Sequence, residues 1–79
     1  MAGAWDRITI DPAVLGGKPC IRGLRIPVAL VVQLVAEGLT PEQITQDYPE
    51  LEPADVRQAL EYAAWLTSEE TIRVPARHG

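Results

Sequence analysis

Seventy-nine residues, 47% of them hydrophobic, specify one small globular domain rather than a disordered chain. A core of this size supplies only about 3–5 kcal/mol, so support from a second copy or a partner is expected. The net charge of −4 argues against non-specific nucleic-acid binding, the single cysteine excludes an internal disulfide and fits a reducing cytoplasm, and no run approaches the roughly 18 apolar residues of a membrane span.

The charge is unevenly placed. Residues 1–30 carry Arg7, Lys18, Arg22 and Arg25 against Asp6 and Asp11, a balance of +2. Residues 31–79 carry three arginines against nine acids, a balance of −6. A local basic face, doubled in a dimer, stays compatible with the acidic whole. At the N-terminus no basic segment precedes an apolar one, so no secretion signal is expected.

Residues 1–6 read as a tail of small residues apart from Trp5. Arg7-Ile8-Thr9-Ile10 alternates polar and apolar side chains with β-branched content, the mark of a strand. Asp11-Pro12 breaks it, and residues 12–15 suit a single turn. The next thirteen residues, 16–28, combine Gly16, Gly17 and Gly23 with Pro19 and Pro27 and with Lys18, Arg22 and Arg25. The glycines mark tight turns. A return strand over residues 21–26 completes an antiparallel hairpin spanning 7–26.

Residues 27–37 form the first expected helix, with Pro27 at its first position and Gly38 just past its end. Only Gln33 and Glu37 are polar in it. A helix apolar nearly all round is buried nearly all round, more than one small domain can cover. Part of its surface is therefore expected to pair in a twofold homodimer, with Val28, Val31, Val32 and Val35 as candidates. Thr40-Pro41-Glu42-Gln43 is a capping box that opens a second helix over 41–47, with Ile44 and Tyr48 facing inward. Pro49 ends it. The third helix, 53–66, has Pro53 at its first position and Asp55 near the positive end of its dipole. Val56, Ala59, Leu60 and Ala63 make its buried stripe, with Asp55, Gln58, Tyr62 and Trp65 on another face. Residues 67–79 read as a tail. The fold class is mainly α with a short N-terminal β-hairpin, a three-helix, helix-turn-helix-like domain over 7–66.

Motifs for chemistry are few. Gly17-Lys18 fails as a phosphate loop, because Pro12 and Pro19 stand where a glycine and a Ser or Thr are required. Cys20 and His78 are single, which gives no metal-ligand spacing, and the only serine is Ser68. Cys20 reads as a small packed hydrophobe. No catalytic residue, metal, cofactor or small-molecule substrate is expected. In a helix-turn-helix arrangement the third helix can read DNA, and it offers Arg57 and Gln58 beside the opposing Asp55 and Glu61. Lys18 and Arg22 are candidates for contacting phosphate or an acidic partner, whereas Arg25 is assigned to an internal ion pair with Asp47 or Glu50.

The run Gly-Lys-Pro-Cys-Ile-Arg-Gly at 17–23 combines with Arg25-Ile26-Pro27-Val28, Gly38, Glu42, Ile44, Asp47-Tyr48-Pro49, Leu51, Pro53 and Asp55. With the Ala-Leu and Tyr-Ala pairs at 59–60 and 62–63, it resembles the small prokaryotic family known as domain of unknown function 433. The resemblance covers roughly residues 7–66. Leu24 and Glu52 depart from it, standing where threonine is usual. It implies a helix-turn-helix-like fold and the antitoxin role of a type II toxin–antitoxin pair. On that implication the chain dimerises, binds its own promoter DNA, and covers a small PIN-like ribonuclease toxin with a C-terminal segment. Lys18, Arg22, Arg57 and Gln58 are then the candidate DNA contacts. Trp65, Ile72, Arg73, Val74 and Arg77 are the candidate toxin contacts, with Arg73 or Arg77 suited to an acidic nuclease metal site. Two other readings are a free-standing dimeric DNA-binding regulator and a dimerisation or scaffold module that binds no DNA.

Overall fold

The structure, a computed structural model, describes residues 5–68. Two short strands, β1 (Ile8–Thr9) and β2 (Cys20–Ile21), flank a 3-10 turn at Leu15–Gly17 and pair antiparallel, Ile8 opposite Ile21 and Thr9 opposite Cys20. Three helices follow, α1 (Val28–Ala36), α2 (Pro41–Asp47) and α3 (Pro53–Ser68). The mainly helical architecture with its two-stranded N-terminal hairpin is the one the sequence predicts. Among the described residues no helix is long and apolar enough to cross a membrane.

The expected return strand over 21–26 is shorter than predicted. Arg22 and Gly23 both take positive φ, 43° and 76°, and the Leu24 amide donates to the Ile21 carbonyl at 2.7 Å. Two positive-φ central residues closed by that bond turn the chain back on itself in the sense of a type I′ turn. The Ile21 amide then meets the Ile26 carbonyl at 3.0 Å, and Cys20 bridges Pro27. Residues 21–26 are thus a tight reversal, and a non-glycine residue sits at one of its strained positions.

Each helix end has a local cause. Pro27 has extended angles and caps α1 instead of serving as its first helical residue. At the other end Gly38 has φ of 100°, its amide bonds the Val35 carbonyl, and the Leu39 amide bonds the Leu34 carbonyl. This is the Schellman pattern, which glycine accommodates without strain. The capping box of α2 is present in both directions: Thr40 Oγ1 accepts from the Gln43 amide at 3.1 Å, and Gln43 Oε1 accepts from the Thr40 amide at 2.8 Å. Replacing the cap, Thr40→Ala, is expected to destabilise the domain by about 1 kcal/mol in urea unfolding.

The core gathers Ile21 from the hairpin, Val28 and Val31 from α1, Ile44 and Leu51 around α2, and Val56, Ala59 and Tyr62 from α3. Ile44 is inside as expected and Tyr48 is half-buried. Two corrections concern faces. On α3 the buried stripe is Asp55, Val56, Ala59 and Tyr62, with Leu60 and Ala63 only half-buried, because the hairpin packs over the side expected to be exposed. On α1, Val31 is fully buried and Val28 is 5% exposed inside one protomer. Neither can serve as a dimer contact, and of the four candidates only Val32 and Val35 keep exposed surface.

Candidate functional site

Three ion pairs, Arg7–Glu52, Arg7–Asp55 and Arg22–Asp55, tie the N-terminal segment to the start of α3. Asp55 is fully buried and accepts from every side. Arg22 Nε reaches Oδ1 at 3.0 Å, Arg22 Nη2 reaches Oδ2 at 2.9 Å, and Arg7 Nη1 reaches Oδ1 at 2.9 Å. The Glu52 amide at the head of α3 also donates to Oδ2, at 2.8 Å, so the carboxylate caps its own helix while joining the two arginines. Arg22 Nη2 further donates to the Glu50 carbonyl at 2.6 Å, and Arg7 Nη1 pairs with Glu52 at 2.8 Å.

Burial alone would push the Asp55 carboxyl up. The hydrogen bonds from Arg22, the Glu52 amide and Arg7 outweigh it and hold the group below its ordinary value. Hydrogen bonds to Glu52 and Asp55 raise Arg7, and those to Asp55 raise Arg22. A carboxylate so fully occupied has no lone pair left with which to take a proton from a substrate. The cluster is a clasp between hairpin and helix.

This geometry redistributes the charged candidates. Arg22, expected to touch phosphate, is spent inside the fold, and Arg25, expected to pair with Asp47 or Glu50, is exposed and makes no ion pair among the described residues. The strained turn decides it, because positive φ at Arg22 aims its guanidinium at α3. Gln58 is also committed: its Oε1 accepts from the Arg7 amide at 2.7 Å, and its Nε2 donates to Asp6 at 3.1 Å. Lys18 and Arg57 are exposed, and neither side chain is paired among the described residues. Of the four DNA candidates only these two keep a free cation.

The other distinctive feature is apolar. A groove of about 410 Å³ lies between the start of α1 and the last turns of α3, walled by Pro19, Pro27, Ala29, Val32, Ala63 and Leu66, with Lys18 on its lining. Beside it three rings meet. Trp5 packs edge-on to Tyr62 with centroids 5.3 Å apart, and Trp65 lies 5.7 Å from Trp5 and 5.8 Å from Tyr62. Tyr62 is the buried member, while Trp65 and Leu66 remain 54% and 51% exposed. The rings hold Trp65 in place at the surface without covering it. Sequence reasoning found Trp65 but not the groove, whose two walls come from residues about thirty or more positions apart. Ile72, Arg73, Val74 and Arg77, the other toxin candidates, lie outside the described residues.

The comparisons with known proteins agree with one another. The family model described as protein of unknown function (DUF433) matches residues 8–63. The uncharacterized protein y4eO of Sinorhizobium fredii is 38% identical over 63 residues, covering 80% of this chain. The chain spans only 28% of that relative's length. A crystal structure of a DUF433 member protein from Anabaena variabilis superposes with a TM-score of 0.71 at 30% identity, over 87% of this chain and 67% of that one.

Proposed function

Because the chain belongs to the DUF433 family, we propose that it acts as the antitoxin of a type II pair, binding a PIN-like ribonuclease toxin and repressing its own operon. The observation that carries the reading is the exposed apolar face formed by Trp65, Leu66 and the groove beside them. A rigid, half-exposed tryptophan next to an apolar groove is the usual composition of a protein-binding hot spot. The role proposed is binding, not catalysis. It sits in the cytoplasm, with no membrane and no small-molecule substrate. The DNA contacts narrow to Lys18 and Arg57, and the homodimer contact to Val35, because the exposed surface of Val32 lines the groove.

Co-expression with the adjacent reading frame, followed by size-exclusion chromatography, tests it. The expected result is a stable complex that loses its companion when residues 67–79 are deleted. A chain that elutes alone beside an expressed nuclease-like neighbour overturns the antitoxin reading. The repressor part has its own test: Lys18→Glu with Arg57→Glu is expected to abolish promoter retention at low salt, where phosphate contacts dominate. Retention unchanged by both substitutions removes that assignment.

A further inference from the structure

The groove carries hydrogen-bond donors without acceptors. Lys18 is the single charged residue on its lining, exposed and unpaired among the described residues. The Val28 amide donates to the Pro19 carbonyl at 2.9 Å, which sets Lys18 beside the first turn of α1. In that turn the Leu30 amide bonds the Pro27 carbonyl at 3.0 Å, whereas the amide of Ala29, also on the lining, has no partner among the described residues. The turn holds no acid, and Pro27 caps it without a side-chain hydrogen bond, so the positive end of the helix is uncompensated. The third donor is the Tyr62 hydroxyl. Tyr62 lines the groove at 6% exposure and makes no hydrogen bond among the described residues, an unusual state for a phenol at that depth.

We propose that the groove between α1 and α3 binds a medium-chain alkyl carboxylate, with its head at Lys18 and the start of α1 and its chain against Val32, Ala63 and Leu66. The proposal does not rest on the antitoxin reading. Donors that lack acceptors call for an anion, and the lining contains no carboxylate to repel one. Glu37, which accepts from Gln33 Nε2 at 3.3 Å, lies two turns further along α1, so the charges beside the groove direct the head toward Lys18. The remaining walls are apolar, and 410 Å³ falls in the range that small ligands fill. Along α1 they run from Ala29 to Gln33, roughly 6 Å at about 1.5 Å per residue, which suits a chain of medium length. No histidine, cysteine or acid stands on the lining, so the ligand is held and not transformed.

Proton–nitrogen NMR of the full chain, titrated with sodium octanoate at fixed pH, tests the proposal. The expected result is saturable, one-to-one shifts centred on Ala29 and Lys18. Each methylene moved from water into the walls is worth about fourfold in affinity, so hexanoate is expected to bind about fifteenfold more weakly. Octyltrimethylammonium, with the opposite charge on the same chain, is expected not to bind. Lys18→Met is expected to weaken octanoate about fivefold, the scale of an exposed ion pair. Tyr62→Phe should weaken it without lowering the urea midpoint, since the hydroxyl removed holds nothing in the free protein. Ala29 is exposed in the first turn of α1, where the helix tolerates an acid, so Ala29→Glu should stay folded and abolish binding. Gln46→Glu, the same charge change on exposed α2, should leave it intact. Shifts that never saturate, equal affinity for hexanoate or octyltrimethylammonium, or octanoate binding unchanged in both Lys18→Met and Ala29→Glu overturn the proposal. So does affinity that falls as protein concentration rises, which places a second copy in the groove. None of these outcomes touches the co-expression experiment, which reads the partner protein.

Discussion

Asp55→Ala is expected to remove about 3 kcal/mol of stability, enough to bring a domain with roughly 3–5 kcal/mol in hand close to unfolding at 25 °C. The side chain has no exposed surface and accepts from Arg22, Arg7 and the Glu52 amide. Truncation takes the buried carboxylate from two guanidiniums, leaving Arg7 with Glu52 and Arg22 with the Glu50 carbonyl, and strips the helix-start amide of its acceptor. The arginines retain about a third of their side-chain surface and can turn partly to water, which keeps the expected loss at the low end for a broken buried pair. Arg22 also loses the anchor that justifies its positive φ, so the reversal at 21–24 loosens with it. With an m-value of about 1 kcal/mol/M in urea for a chain of this length, the midpoint falls by about 3 M. An Asp55→Ala protein that unfolds at the wild-type midpoint would show that the clasp is ornamental.

Acid should act through the same group. Asp55 is held below its ordinary value in the folded state, against about 3.9 in the unfolded chain. The unfolded state therefore binds the proton first as pH falls. The stabilisation from Asp55 is complete above about pH 4 and is lost as pH drops from there through the folded-state value. Asp55→Asn, similar in shape and unable to ionise, should be less stable than wild type at pH 7, and the gap should narrow as the pH falls below about 4. A constant gap across that range would mean that charge has no part in the clasp.

What the sequence made legible follows from how local each cause is. The start of α2 at Pro41 is written in four consecutive residues, Thr40 to Gln43, and the capping box forms as those residues dictate. The end of α1 is equally local, set by Gly38. Read from its neighbours alone, Asp55 is a surface acid near a helix dipole, because nothing nearby says otherwise. Its burial depends on Arg22 and Arg7, which are 33 and 48 positions away. The same separation hides the role of Arg22. A strand would have pointed it at solvent, and only the positive φ beside Gly23 turns it toward α3. In α1 the difficulty was different: a helix with apolar residues on every side has no periodicity to single out Val28 and Val31 for the core. The groove was invisible for a combination of these reasons, one wall belonging to that ambiguous helix and the other to distant α3.

Trp65→Ala is expected to weaken the complex with the partner protein by about 30-fold, the roughly 2 kcal/mol that separates a hot-spot residue from its neighbours. Trp65 packs against Trp5 and Tyr62, so its ring is ordered before any partner arrives and little rotamer entropy is lost on binding. The same contacts raise a competing explanation, that truncation merely loosens the fold. Trp65 is more than half exposed, so its removal takes little from the core, and each aromatic pair it makes adds about 0.5–1.5 kcal/mol. Trp5 remains as a fluorescent reporter of the aromatic cluster. Binding measured by isothermal titration and unfolding measured through Trp5 should therefore separate, with affinity lost in a chain that remains folded. Trp65→Phe, which restores a ring, should recover most of the affinity. Leu66→Glu, which places a charge in the adjoining groove, should match or exceed the loss seen with Trp65→Ala. If both variants bind as tightly as wild type, the apolar face is not where the partner sits, and the antitoxin reading loses the observation on which it stands.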